Sequence, residues 1–181
     1  MLFRITATFL FGISFLTSAI INVPSDHNTI QAAINASSNG DEIQIASGTF
    51  FVNNLQIDKD ITIKGSGPSN TILHGSSTNI IMTISSPGNS TLKISDLKVT
   101  EGKPGSAPNR FVVGFSQNNT SSVVEFNNII FENNGQNTGN TLFQGNGVNT
   151  TTYKNCIVRN NTAENYAGIG NSTVLGTILY G

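Results

Sequence analysis

The sequence predicts an all-β solenoid, a parallel β-helix of stacked coils with a short N-terminal capping helix. Three observations predict it: a repeat at wide spacing, a composition rich in turn formers, and one helical stretch ahead of the strands. The repeat occupies Leu92–Val99, Val124–Phe131, Thr151–Val158 and Ser172–Leu179. Its frame is apolar, any, apolar, any, Asn-like, apolar, any, apolar. Asp96, Asn128, Asn155 and Gly176 hold the fifth position, 32, 27 and 21 residues apart.

Each apolar-any-apolar piece reads as a short strand with one buried face. The fifth residue must break the alternation, because Phe126 and Ile129 are three apart and both apolar. One residue in a left-handed conformation makes such a bend, and Asn, Asp and Gly tolerate it best. A bent coil of roughly 20–30 residues cannot bury its apolar face alone, so coils must stack. An antiparallel sandwich with turns at the Asn residues leaves the constant position of the bend unexplained. In a stack, Asp96, Asn128, Asn155 and Gly176 form a column whose amides hydrogen-bond as a ladder. A second polar pair follows each frame: Glu101-Gly102, Asn133-Asn134 and Asn160-Asn161.

Residues 1–19 read as a secretory signal peptide. Arg4 is the positive charge, Ile5–Leu16 the apolar stretch, and Thr17-Ser18-Ala19 a small-residue cleavage site. A retained anchor is the alternative, but the stretch is short and diluted by Thr and Ser. The expected domain is therefore 20–181, secreted or at the cell surface. With 9 basic and 10 acidic residues among 181, the chain lacks the basic patch of a nucleic-acid binder. Sequons at Asn35, Asn89, Asn118, Asn119, Asn149, Asn160 and Asn171 make it a candidate glycoprotein. The single cysteine, Cys156, falls on an inward position and reads as a buried thiol. With only His27 and His74 besides, no metal site or cofactor is expected.

Thr29–Ile34 is the helical stretch, with Ile30, Ala33 and Ile34 on one face. Asn28 or a neighbour caps it and Asn39-Gly40 stops it. It would cover the open first coil. Strands are expected at Glu42–Ile45, Gly48–Phe50, Leu55–Ile57, Ile61–Ile63, Thr71–Leu73 and Ile80–Ile84, with Asp58-Lys59-Asp60 as a solvated bend. Residues 103–110 and 135–150 read as projecting loops.

Several segments resemble the pectin lyase-like superfamily of right-handed parallel β-helices. They are Thr29-Ile-Gln-Ala-Ala-Ile34, Gly40-Asp-Glu-Ile43, Gly48-Thr-Phe50, Ile61-Thr-Ile-Lys-Gly65, Asn155-Cys-Ile-Val-Arg-Asn-Asn161 and Ala167-Gly-Ile-Gly-Asn171. The resemblance spans nearly all of residues 20–181. It implies a polysaccharide-handling or cell-surface protein: a lyase, hydrolase or esterase, or an adhesin.

A lyase needs a carboxylate cluster for Ca²⁺ and a base, a hydrolase two or three close carboxylates. With ten acidic residues, no adjacent Asp-Asp, no Gly-His-Gly and no Arg-x-Lys, the chain shows no such set. Consecutive stacking places four columns outward. They begin Lys93–Glu125–Thr152–Thr173, Ser95–Asn127–Lys154–Leu175, Lys98–Ile130–Ile157–Ile178 and Thr100–Glu132–Arg159–Tyr180. In the fourth, Glu132, Arg159 and Tyr180 are the candidate glycan-facing residues; a plain cross-strand ion pair is the alternative. The isoleucines of the third column should be covered by a loop. Leu179-Tyr180-Gly181 falls inside a repeat, which reads as an uncapped coil, from a longer product or open to self-association. The expected function is a non-catalytic glycan-binding or structural scaffold. The alternatives are a polysaccharide lyase or esterase with truncated or unrecognised catalytic coils, and an adhesin-type repeat protein.

Overall fold

The computed structural model describes residues 17–77, 80–85, 91–103, 111–115, 122–135, 141–144, 150–162, 172–176 and 178–179. Strand β1 (Ile20–Val23) precedes the helix α1 (Ile30–Ala36). Next come β2 (Glu42–Ile45), β3 (Gly48–Phe51), β4 (Leu55–Ile57), β5 (Thr62–Lys64), β6 (Thr71–His74) and β7 (Met82–Ile84). The remainder are β8 (Thr91–Thr100), β9 (Phe111–Phe115), β10 (Val123–Glu132), β11 (Thr141–Gln144), β12 (Thr150–Lys154), β13 (Ile157–Arg159), β14 (Ser172–Leu175) and β15 (Ile178–Leu179).

The strands pair in parallel and the chain winds as a right-handed parallel β-helix. The first face runs β1-β2-β5-β8-β10-β12-β14. The second comprises β3, β6, the later halves of β8 and β10, β13 and β15. The third is β4-β7-β9-β11. Strands β8 and β10 serve both the first and second faces because each bends midway, at Asp96 and Asn128.

The bends are left-handed residues. φ is 57° at Asp96, 53° at Asn128, 52° at Asn155 and 58° at Gly176. A second set ends each frame, with φ of 53° at Glu101, 55° at Asn133 and 52° at Asn160. The backbone must therefore turn twice per repeat at the same register, which keeps the coils superimposable. Gly65 sits where β5 passes the first of these bends. A Cβ there would collide with the Asp96 carbonyl oxygen, so only glycine permits that approach.

The side-chain ladder differs from expectation. Asn128 Nδ2 donates to Asp96 Oδ1 at 2.8 Å, but Asn155 Nδ2 reaches Asn127 Oδ1, at 3.3 Å, rather than Asn128. The better-satisfied ladder lies at the second polar pair. Asn134, 1% exposed, donates from Nδ2 to the Val99 and Glu132 carbonyls and to Asn161 Oδ1 at 3.0–3.1 Å. Its Oδ1 accepts from Gly102 N at 2.9 Å, and Asn161 Nδ2 donates to the Phe131 carbonyl at 3.0 Å. Gly102 completes the column: a Cβ there would lie 2.6 Å from Val112 Cγ1.

The expected 135–150 loop contains a strand, and another begins just after the expected 103–110 loop. Phe111–Phe115 and Thr141–Gln144 are β9 and β11, paired in register with each other and, through β9, with β7. Val112, Val113, Leu142 and Phe143 are buried. Short apolar runs between Gly- and Asn-rich flanks hid them in the sequence. They close the third side of the core around an aromatic group. Phe126 stacks on Tyr153 at 5.3 Å and meets Phe131, Phe143 and Phe115 at 5.6, 6.2 and 6.5 Å. Cys156 is fully buried there, and burial pushes its thiol pKa up.

Helix α1 covers the first coil with Ile30, Ala33 and Ile34. Thr29 caps it through Oγ1 to Ala32 N at 3.1 Å. The stop is Ser37 rather than Asn39-Gly40: Ser37 N donates to Ala33 O, and its hydroxyl to Ile34 O at 2.8 Å. Nor is Lys59 merely part of a solvated bend. Its ammonium donates to the carbonyls of Ile34, Asn35 and Ser37 at 2.7–2.9 Å. A cation on the open carbonyls of a helix C-terminus satisfies them and opposes the helix dipole. Lys59→Met is expected to cost about 1–2 kcal/mol in urea unfolding. No change would mean that water replaces the ammonium at no cost.

Candidate functional site

The second face carries one continuous outward row. Phe51 pairs with His74, His74 with Thr100, Thr100 with Glu132, and Glu132 with Arg159. Parallel pairing places these residues side by side at about 4.8 Å per coil. Tyr180, the third expected member with Glu132 and Arg159, lies outside the described residues.

Glu132 is the centre of an ion triad. Lys98 Nζ donates to Oε1 at 2.6 Å; Arg159 Nε and Nη2 donate to Oε2 at 2.8 and 2.6 Å. Lys98 stands in the neighbouring column, two residues before Thr100, and its long stem reaches across. The sequence reading paired Glu132 with Arg159 and missed Lys98, because adjacency in register does not show a diagonal contact. The bond from Lys98 holds the Glu132 carboxyl below the usual carboxylate range, burial opposes this, and Arg159 adds to it. The folded value is depressed, so the stabilisation is present above the unfolded value, near 4.5, and is lost as pH falls through the lowered folded value. Urea midpoints should therefore fall in acid, and the fall should be shallower in Glu132→Gln. An identical acid profile in the variant would remove Glu132 from the account.

The triad is a poor acid–base device. Two cations draw on the same carboxylate, which lowers its basicity. Its excess is cationic: two positive groups face one negative. Arg159 keeps 42% of its side chain exposed while Glu132 keeps 11%. The outward surface of the group is thus guanidinium. Along the first face Lys154 Nζ meets Glu125 Oε2 at 2.8 Å, a neutral pair. Among the described residues no group of three or more His, Cys, Asp or Glu could hold a metal ion. The third column, Lys98, Ile130, Ile157 and Ile178, is in register. Ile130 and Ile157 are half-buried. The segments 104–110, 116–121 and 136–140, where a covering loop would fall, lie outside the described residues, as do residues 1–16 and Tyr180-Gly181, on which the expectation of an uncapped coil rests. No described helix is long and apolar enough to cross a membrane.

The chain superposes on a mutant of the PL6-family alginate lyase AlyGC with a TM-score of 0.66 at 18% identity. The match covers 96% of this chain and 26% of that one. The chain shares the parallel β-helix fold of that lyase. This β-helix therefore spans about a quarter of the length of that lyase. It is also similar to a pectin methylesterase mutant in complex with a hexasaccharide (TM-score 0.49, 13% identity, 83% of this chain and 53% of that one). No family model and no curated protein matches the chain.

Proposed function

We propose that this chain is a secreted or cell-surface, non-catalytic β-helix that binds an acidic polysaccharide on its second face. The observation that carries the reading is the Lys98–Glu132–Arg159 triad, with its one excess positive charge and its exposed guanidinium. A planar guanidinium recognises a sugar carboxylate through paired N–H donors. Glu132 fixes its direction, so little side-chain freedom is lost on binding. The repeat frame in the sequence assigns Tyr180 to the same row, where it would contribute an aromatic edge. The apolar run ending at Thr17-Ser18-Ala19 supports export. The register also leaves a scaffold or adhesin role open to the same surface.

A second reading, a polysaccharide lyase, is favoured by the likeness to AlyGC. It shares the ligand and differs in turnover. Titration with oligomers of alginate and of polygalacturonate tests both. The first reading expects salt-sensitive binding that weakens about tenfold in Arg159→Ala. Binding that ignores Arg159→Ala, or none at low salt, would remove it.

A further inference from the structure

The geometry points to a second carbohydrate site, for a neutral sugar ring, in the groove between α1 and β3. This goes beyond the acidic-polysaccharide reading and does not use its Lys98–Glu132–Arg159 triad, although Phe51 and His74 begin the same row. The groove has a volume of about 480 Å³ and a mainly apolar lining, with Phe50 and Phe51 beside the polar Asn28, Thr29, Gln31 and Asn53. That volume lies within the range of small-ligand sites.

Phe51 is 73% exposed, whereas Phe126, Phe131 and Phe143 are buried at 0–1%. Phe51 stands at the mouth of the groove, where its ring offers an aromatic face to whatever enters. It is also held in place. The His74 ring lies against it at 5.2 Å with a 56° tilt, and His74 Nδ1 accepts from Ser76 N at 2.9 Å. The opposite wall is equally fixed. Gln31 clips α1 to β4, accepting from Gln56 N at 2.8 Å and donating to Gln56 O at 3.2 Å. The groove is therefore preformed, which lowers the ordering cost of binding.

The lining chemistry selects the ligand. Among the described residues no charged side chain lines the groove, so an anion or cation entering it would lose water without compensation. An aromatic face is electron-rich and attracts the apolar C–H face of a pyranose. Amides and hydroxyls, as at Asn28, Thr29 and Asn53, supply donors and acceptors for sugar hydroxyls. A neutral pyranose presents both features at once.

The test is isothermal titration of the full secreted chain with neutral hexasaccharides of glucose, xylose and mannose, and with an oligouronate. The expected result is binding of at least one neutral hexasaccharide. Phe51→Ala should weaken it about tenfold, the scale of losing one aromatic anchor. Phe51→Tyr should retain it, and Arg159→Ala should leave it unchanged. Asn53→Ala provides a second variant at an exposed position. The site would be overturned by no neutral binding, or by binding indifferent to both Phe51→Ala and Asn53→Ala. It would equally be overturned if Phe51→Ala abolished only a concentration-dependent dimer in sedimentation. Loss of oligouronate binding alone would sink the acidic reading and leave this one standing.

Discussion

Phe126→Ala is expected to remove about 3–5 kcal/mol of stability and roughly 10 °C of Tm. Phe126 is fully buried and faces four other aromatic rings within 6.5 Å. It sits in register between Ile94 of the preceding coil and Tyr153 of the next. Truncation leaves a cavity that the surrounding rings cannot fill, because their backbones are tied into parallel ladders on three faces. A solenoid's stability is close to a sum of neighbouring interfaces, and this position belongs to two. Phe126→Leu should cost far less, near 1.5 kcal/mol. Equal losses in both variants by thermal unfolding would show that volume is not the cause.

The second large effect concerns Asn134. Asn134→Ala should cost about 3–4 kcal/mol, since Gly102 N and the Val99 carbonyl lose their side-chain partner at a buried site. Asn155→Ala should cost only about 1 kcal/mol, mostly from left-handed strain, and Asn155→Gly less still. Asn155 is exposed and makes one long side-chain bond, at 3.3 Å; Gly176 already occupies the equivalent position one coil later. Urea midpoints of the three variants decide this. If Asn155→Ala proved as damaging as Asn134→Ala, the energetic weight assigned to the inner ladder would be wrong.

The repeat made the fold legible because a bend by one left-handed residue leaves a mark in residue type. Asp96, Asn128, Asn155 and Gly176 are of three residue types yet share φ of 52–58°. The outward columns followed from that register, and the pairings Glu125 to Lys93, Ile130 to Ile157 and Glu132 to Arg159 are those of the structure. Most of what escaped the sequence lies off the repeat. Strands β9 and β11 pair through the backbone, so Gly- and Asn-rich surroundings do not prevent them. Lys59 and Lys98 act through long stems whose targets are 22–25 and 34 residues away, which no local pattern encodes. Phe51 and His74 extend the candidate row, but β3 and β6 lack the Asn frame that aligned the later coils. The inner role of Asn134 was hidden because both members of Asn133-Asn134 are asparagine, and only the structure separates the bend former from the ladder member.

The most direct test of the central claim follows one mixture of the protein and an oligouronate by two signals: heat of binding, and the ultraviolet absorbance of unsaturated product, with and without Ca²⁺. The account predicts saturable heat that Arg159→Ala weakens about tenfold, with flat absorbance throughout. Rising absorbance that Arg159→Ala or Glu132→Ala abolishes would contradict it and make the second face a lyase centre.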